Sequence, residues 1–286
     1  MASAVPPDIR DAQAEWENSG RLITARPAAV LCGLVDEYRG FRDHAPALAS
    51  VQRELPGAVV PLILELGAGW HIGTPTDNYR VQRVRSFVAG MHDSFALVGA
   101  AGPVQGVQVD LLPIGARRVL GVPMHELTNR CVPLDALLGR AARELTERLA
   151  NAGSWPQRVA LLDAAFTQIL SGPYVASPEM EWVWRCLERT AGRMPIRQLC
   201  LELGWSRKRF VARFREDIGL GPKTAARVLR FQHLRRRLRS NGLRDGWADL
   251  AFESGYADQG HLAREVRRLA GITPTALLAE TFIQDT

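Results

Sequence analysis

The strongest constraint on this chain is a short pattern that occurs twice in its C-terminal part. The first copy reads Leu199-Cys200-Leu201-Glu202-Leu203-Gly204-Trp205, continues through Phe210 and Phe214, and closes on Gly219-Leu220-Gly221-Pro222. The second reads Leu250-Ala251-Phe252-Glu253-Ser254-Gly255-Tyr256, continues through Leu262 and Val266, and closes on Gly271-Ile272-Thr273-Pro274. The offset between copies grows by one residue from the leucines to the closing prolines, which places an insertion near Ala257-Asp258. In each copy a glycine ends one helix in a left-handed turn, and Ser206 or Asp258 supplies an N-cap for the next. Helix, tight glycine turn and second helix together form the helix-turn-helix signature.

Helical geometry sorts the second helix of each copy into faces. Phe210, Phe214 and Ile218, and in the other copy Leu262, Val266 and Ala270, form core-facing stripes. The opposite sides carry Lys208, Arg209, Ala212 and Glu216, and Gly260, His261, Arg264 and Arg268, with Arg207, Arg213, Arg215 and Arg267 on the flanks. Such faces suit base reading at the centre and phosphate contact at the margins. A solvated basic face is the plain alternative, and His261 has a second reading as a side chain that packs at the turn. The connector, Lys223 to Ser240, spans roughly 27 Å as one helix. Adjacent major grooves on one side of a duplex are about 34 Å apart. Arg235, Arg236, Arg237 and Arg239 suit either phosphate contact or solvation of the end of the connector; the three consecutive arginines point in three directions, so at most one or two face the same duplex.

Charge divides the chain. From Ser3 to Ser177 there are 16 arginines against 17 acids, whereas from Pro178 onward 20 cations face 13 acids, so the basic character belongs to the C-terminal part. Gly172-Pro173 and Ser177-Pro178 punctuate the sequence at that change. The expected domains are therefore 1–177 and 178–286, the second all-α, with helix-turn-helix units at about 196–218 and 247–270 and the connector at 223–240.

The N-terminal part reads as an arm to about Ala29, then as five to seven short strands between Val30 and Pro113, separated by turns such as Pro56-Gly57 and Gly67 to Gly69. The clearest are Val30–Phe41, Val59–Leu66, Val81–Val88 and Val107–Leu111. A small antiparallel barrel or sandwich is expected. Helices follow, the longest from Trp155 to Leu170. Its Trp155, Val159, Leu162, Phe166 and Ile169 form a heptad-like seam that suits either a dimer interface or packing on the chain's own sheet. Tyr38, Glu65, Trp70 and Arg85 are candidate pocket residues, with core packing the alternative.

The C-terminal hundred residues resemble the DNA-binding domain of AraC/XylS-type transcriptional regulators. The likeness rests on Leu199 to Gly204, Trp205-Ser206, Arg213-Phe214, Gly219 to Lys223, Arg227, Arg230, Leu250-Ala251, Gly255 to Arg264, and Gly271 to Pro274. It implies a sequence-specific regulator of promoters, with Arg207, Lys208, Arg209, Ala212, Arg213, Gln259, Gly260, His261, Arg264 and Arg268 as the DNA-binding set. Ala212 stands where many members place a longer polar residue, which shifts base reading toward Lys208, Arg209 and Arg213. More weakly, the N-terminal part resembles the cupin-like β-barrel sensor domain of the same regulators, with helices used for dimerisation. The fold class is then α+β in two domains. Double-stranded promoter DNA is the expected partner, with RNA polymerase, a small-molecule effector and a second copy of the chain as further candidates.

Several other classes are disfavoured. Cys32, Cys131, Cys186 and Cys200 are scattered, and His71, His92 and His125 lack a compact metal spacing, so neither cofactor nor metal is expected. No P-loop, GxSxG, HExxH or zinc-deaminase pattern occurs, which leaves a DNA-delivered enzyme as the weaker alternative to a regulator. A regulator controlled by protein contact alone is a third reading. The N-terminus lacks an apolar signal segment and no run is long enough to span a membrane, so a cytoplasmic location is expected.

Overall fold

The structure, a computed structural model, describes residues 22–43, 51–170, 172, 177–244 and 246–283. Most of the expected N-terminal arm lies outside these residues. Its last part, though, forms a strand, β1 (Leu22–Ala25), because it pairs antiparallel with β2 (Val35–Asp43).

Eight more strands follow: β3 (Gln52–Glu54), β4 (Val60–Glu65), β5 (Trp70–Gly73), β6 (Gln82–Val84), β7 (Phe87–Ala89), β8 (Ala96–Ala100), β9 (Val104–Leu111) and β10 (Cys131–Pro133). They form a six-stranded sheet of order β1-β2-β9-β4-β7-β10 and a four-stranded sheet of order β3-β8-β5-β6. The sheets do not close into a barrel: each ends on strands paired on one side. The sequence reading stops at seven strands because β3, β5 and β10 are three or four residues long and acquire their identity from partners distant in sequence. It also runs β6 and β7 together, although they belong to different sheets.

The apolar run in β4 is explained by burial on both faces. Val60, Leu62 and Leu64 enter the main core with Val107 and Val109 of β9, whereas Ile63 joins Ile72, Val84 and Phe87 between the two sheets. The far side of the large sheet is covered by α1 (Pro113–Leu120), α2 (Leu134–Ala150) and α3 (Trp155–Leu170). Gly139 breaks α2 into two pieces, at φ 55°. The α3 seam is consumed within the chain, with Trp155, Leu162 and Phe166 at most 1% exposed. Asp163 fastens it to the sheet, accepting from the Tyr38 hydroxyl at 3.0 Å and the Ala28 amide at 2.9 Å. Tyr38 is thus a core residue. Glu65 is equally enclosed, taking Trp70 Nε1 at 2.6 Å and the Gly67 amide at 2.8 Å, and burial pushes its carboxyl above the usual range despite these donors.

The remaining helices are α4 (Pro178–Arg189), α5 (Ile196–Leu203), α6 (Arg207–Ile218), α7 (Pro222–Asn241), α8 (Gly246–Glu253), α9 (Gln259–Ala270) and α10 (Pro274–Ile283). The α1 helix and the 3-10 turn Met124–Glu126 pack against α6. Both parts of the chain therefore share one continuous apolar core.

Candidate nucleic-acid interface

The two copies are built by the same local devices. After α5 the chain turns left-handed at Gly204, φ 64°, and the Trp205 amide donates back to the Cys200 carbonyl at 3.0 Å. After α8 it turns at Gly255, φ 79°, and the Tyr256 amide donates to Ala251 at 2.9 Å. These backward bonds satisfy the last carbonyls of each short helix. Ser206 Oγ then accepts the Arg209 amide at 3.3 Å, and Asp258 Oδ1 accepts the His261 amide at 2.6 Å. The inserted residue is Ala257, whose amide is taken by His261 Nδ1 at 3.2 Å.

Arg209 and His261 occupy equivalent places, three residues after their caps, and each leans on the aromatic residue of its turn. The Arg209 guanidinium lies 4.3 Å from the Trp205 ring centroid, a cation–π contact, while His261 meets Tyr256 edge-on at 5.4 Å. His261 therefore spends one nitrogen and one ring contact on the turn itself.

The predicted residues divide by environment. Arg207, Lys208, Arg209 and Ala212 are exposed along the N-terminal half of α6, as are Gln259, Gly260, Arg264 and Arg268 on α9. Arg209 and Ala212 line an open cleft of about 440 Å³ with Trp205, Arg213, Glu216, Ser177 and Glu179. The cleft carries an acid as well: Glu179 sits below the usual carboxylate range, held first by its bond from Ser177 and also by Arg209 and Arg213. Arg213 is only a third exposed and is engaged internally, its Nε 2.9 Å from Asp217 and its Nη1 3.5 Å from Glu216. Arg117 of α1 reaches the same acids, at 3.6 Å from Glu216 and 3.8 Å from Asp217. This network joins the C-terminal end of α6 to the N-terminal part. The Arg213–Asp217 spacing of one helical turn was visible in the sequence, but the third partner was not.

Connector arginines also face inward. Arg227 pairs with Glu265 of α9, Arg230 Nη1 donates to the Gly192 carbonyl at 2.9 Å, and Arg237 pairs with Glu253 of α8. Arg237, which by sequence suits phosphate or solvent, instead ties α7 to the second unit. Arg236 and Arg239 are exposed.

Two capped helix-turn-helix units on one connector helix, each presenting cations from its second helix, define a DNA-binding protein. Residues 199–280 match the model of a helix-turn-helix domain, and residues 23–133 match that of a domain of unknown function. The C-terminal domain is a helix-turn-helix domain of the AraC type, and the chain is a DNA-binding regulator of transcription. No curated protein sequence matches the chain. Among solved structures, the chain is similar to ToxT from Vibrio cholerae O395, at 11% identity over 80% of this chain and 92% of that one, TM-score 0.46. An apo, singly substituted ToxT from Vibrio cholerae strain SCE256 gives 10% identity, 90% and 97% coverage and a TM-score of 0.48. The unsaturated fatty acid bound wild-type ToxT of that strain gives 10%, 81% and 92%, and 0.46. At such identities and scores the likeness does not extend to binding properties. Among the described residues no helix is long and apolar enough to cross a membrane.

Proposed function

We propose that the protein binds specific promoter sequences with α6 and α9 as its two recognition helices and that its N-terminal domain, 1–177, regulates this binding from outside the DNA-binding domain, 178–286. The observation that carries the reading is the exposure of Arg207, Lys208 and Arg209 on α6 and of Gln259 on α9, just beyond two equivalent N-caps, with Arg264 and Arg268 exposed further along α9. N-terminal residues of a recognition helix are the ones that reach base edges. In the first unit Arg209, steadied by Trp205, reads a base and Arg207 and Lys208 contact adjoining phosphates. In the second, Arg264 and Gln259 reach the groove, Gly260 lets the backbone approach, and Arg268 meets phosphate. Ala212 offers an apolar contact, while Arg213 and His261 support the helices that carry the readers. The N-terminal domain conveys a small-molecule or protein signal.

The test is selection from randomised DNA with purified full-length protein at two salt concentrations, followed by the same selection with Arg209→Ala. One enriched site with affinity falling steeply with salt is expected, and the variant should lose preference at one or two base pairs at a cost of about 1 to 3 kcal/mol. Enrichment of no sequence would remove the proposal.

A further inference from the structure

Gly219 and Gly271 close the two copies at equivalent positions, and both are where the N-terminal part meets the recognition helices. A Cβ on Gly219 would lie 3.1 Å from the Met124 carbonyl oxygen and 3.2 Å from Thr128 Oγ1. A Cβ on Gly271 would lie 2.3 Å from the Phe95 ring. The lack of a side chain thus admits a contact at the end of α6 and another at the end of α9.

The two contacting segments are fastened to each other. The Asn129 amide donates to the Met91 carbonyl at 3.1 Å, Asn129 Nδ2 donates to Asp93 Oδ1 at 2.9 Å, and the Asp93 amide donates to Asn129 Oδ1 at 2.9 Å. Asn129 adopts φ 59°, a left-handed conformation that asparagine tolerates. Phe95 is held in turn by Tyr79, stacked at 5.6 Å, and by Arg53, whose guanidinium lies 5.9 Å from the ring. Arg53 also reaches Glu280 of α10 at 3.2 Å. The path from Gly219 to Gly271 therefore runs through Thr128, Asn129, Asp93 and Phe95, outside both helix-turn-helix units.

We propose that the Asp93–Asn129 pair braces the two recognition helices against each other, so that Asp93, Phe95 and Asn129 determine which spacing between two DNA half-sites is accepted. The proposal rests on the reading of α6 and α9 as DNA-contacting helices. The connector α7 sets the span, and its pairs Arg227–Glu265 and Arg237–Glu253 hold it to the second unit. A further tie at the far ends of α6 and α9 opposes tilting of one recognition helix against the other. Spacing discrimination is a difference in free energy between the right and wrong spacings, and a stiffer link between readers enlarges it.

The experiment measures binding of the full chain to the selected half-sites with spacers lengthened or shortened one base pair at a time. Wild type should favour one spacing by about tenfold or more over its neighbours. Asn129→Gly keeps the left-handed backbone and removes the amide, and Phe95→Ala removes the grip on α9 alone. Each should flatten the preference to within about threefold while leaving affinity for a single half-site within about twofold. Exchanging the pair, Asp93→Asn with Asn129→Asp, should restore the wild-type profile. Unchanged profiles in both Asn129→Gly and Phe95→Ala, or a wild type indifferent to spacing, would overturn the brace. A wild type that selects no sequence would overturn the DNA reading on which the brace rests.

Discussion

Replacing Asp217 by Asn tests how the two parts of the chain are held together. Asp217 is 1% exposed, with Arg213 Nε at 2.9 Å and Arg117 Nε at 3.8 Å from its carboxylate. At an effective dielectric of about 20, a pair roughly 3 Å apart has some 5 to 6 kcal/mol of Coulomb attraction, most of it offset by desolvation. Removing one partner from a buried pair costs about 3 to 5 kcal/mol, because the other charge remains buried. The cost here should be smaller. Arg213 is a third exposed and hydrates readily, and Glu216 still stands 3.5 Å from Arg213 and 3.6 Å from Arg117. About 2 kcal/mol is expected. Urea unfolding of the full chain, followed by tryptophan fluorescence, measures it. Adding Arg117→Met completes a double-mutant cycle, which should return a coupling of about 1 kcal/mol between the two parts. Raising the salt should change the cost little, since Asp217 is buried and the pair only partly exposed. A loss below about 0.5 kcal/mol for Asp217→Asn, or strict additivity with Arg117→Met, would refute the assignment of this network as the interdomain tie.

Two further outcomes concern single groups. Burial, with a contribution from Asp77, pushes the Cys131 thiol up to about 12, and Cys186 and Cys200 are buried, so a thiol reagent at pH 8 should label exposed Cys32 fast and the others slowly. Two fast thiols would contradict this. Burial also holds the His92 imidazole below the usual histidine range, outweighing the Arg130 backbone and Asp93. The unfolded chain then binds a proton near pH ~6.5 that the folded chain refuses. Stability from this group is complete above that pH and is lost as pH falls toward the folded value. His92→Gln should flatten the decline in unfolding free energy just below that pH, and an equal slope in the variant would count against it.

The C-terminal helices were legible almost residue by residue because their signals are local. Gly204, Gly255, Ser206 and Asp258 fix where helices stop and start within a few residues of themselves, and the stripe of Phe210, Phe214 and Ile218 sets which face is buried. The inserted Ala257 was visible as a change in offset. Its consequence, the recruitment of His261 Nδ1, required coordinates. The strands were less legible. Leu22–Ala25 carries little pattern of its own, and Trp70–Gly73 sits among glycines that read as turns, so each is a strand only through its neighbours.

The sequence by itself determined the duplicated helix-turn-helix units, their caps, the connector and the segregation of positive charge, all of which depend on contacts or spacings within a turn or two of helix. Tertiary structure alone decided that the sheets stay open, that the seam of α3 is buried in its own core, and that Arg117, Phe95 and Asn129 meet the ends of the recognition helices. Those are pairings between residues far apart in the chain, chosen by shape and by the satisfaction of buried charge, and short-range periodicity carries no record of them.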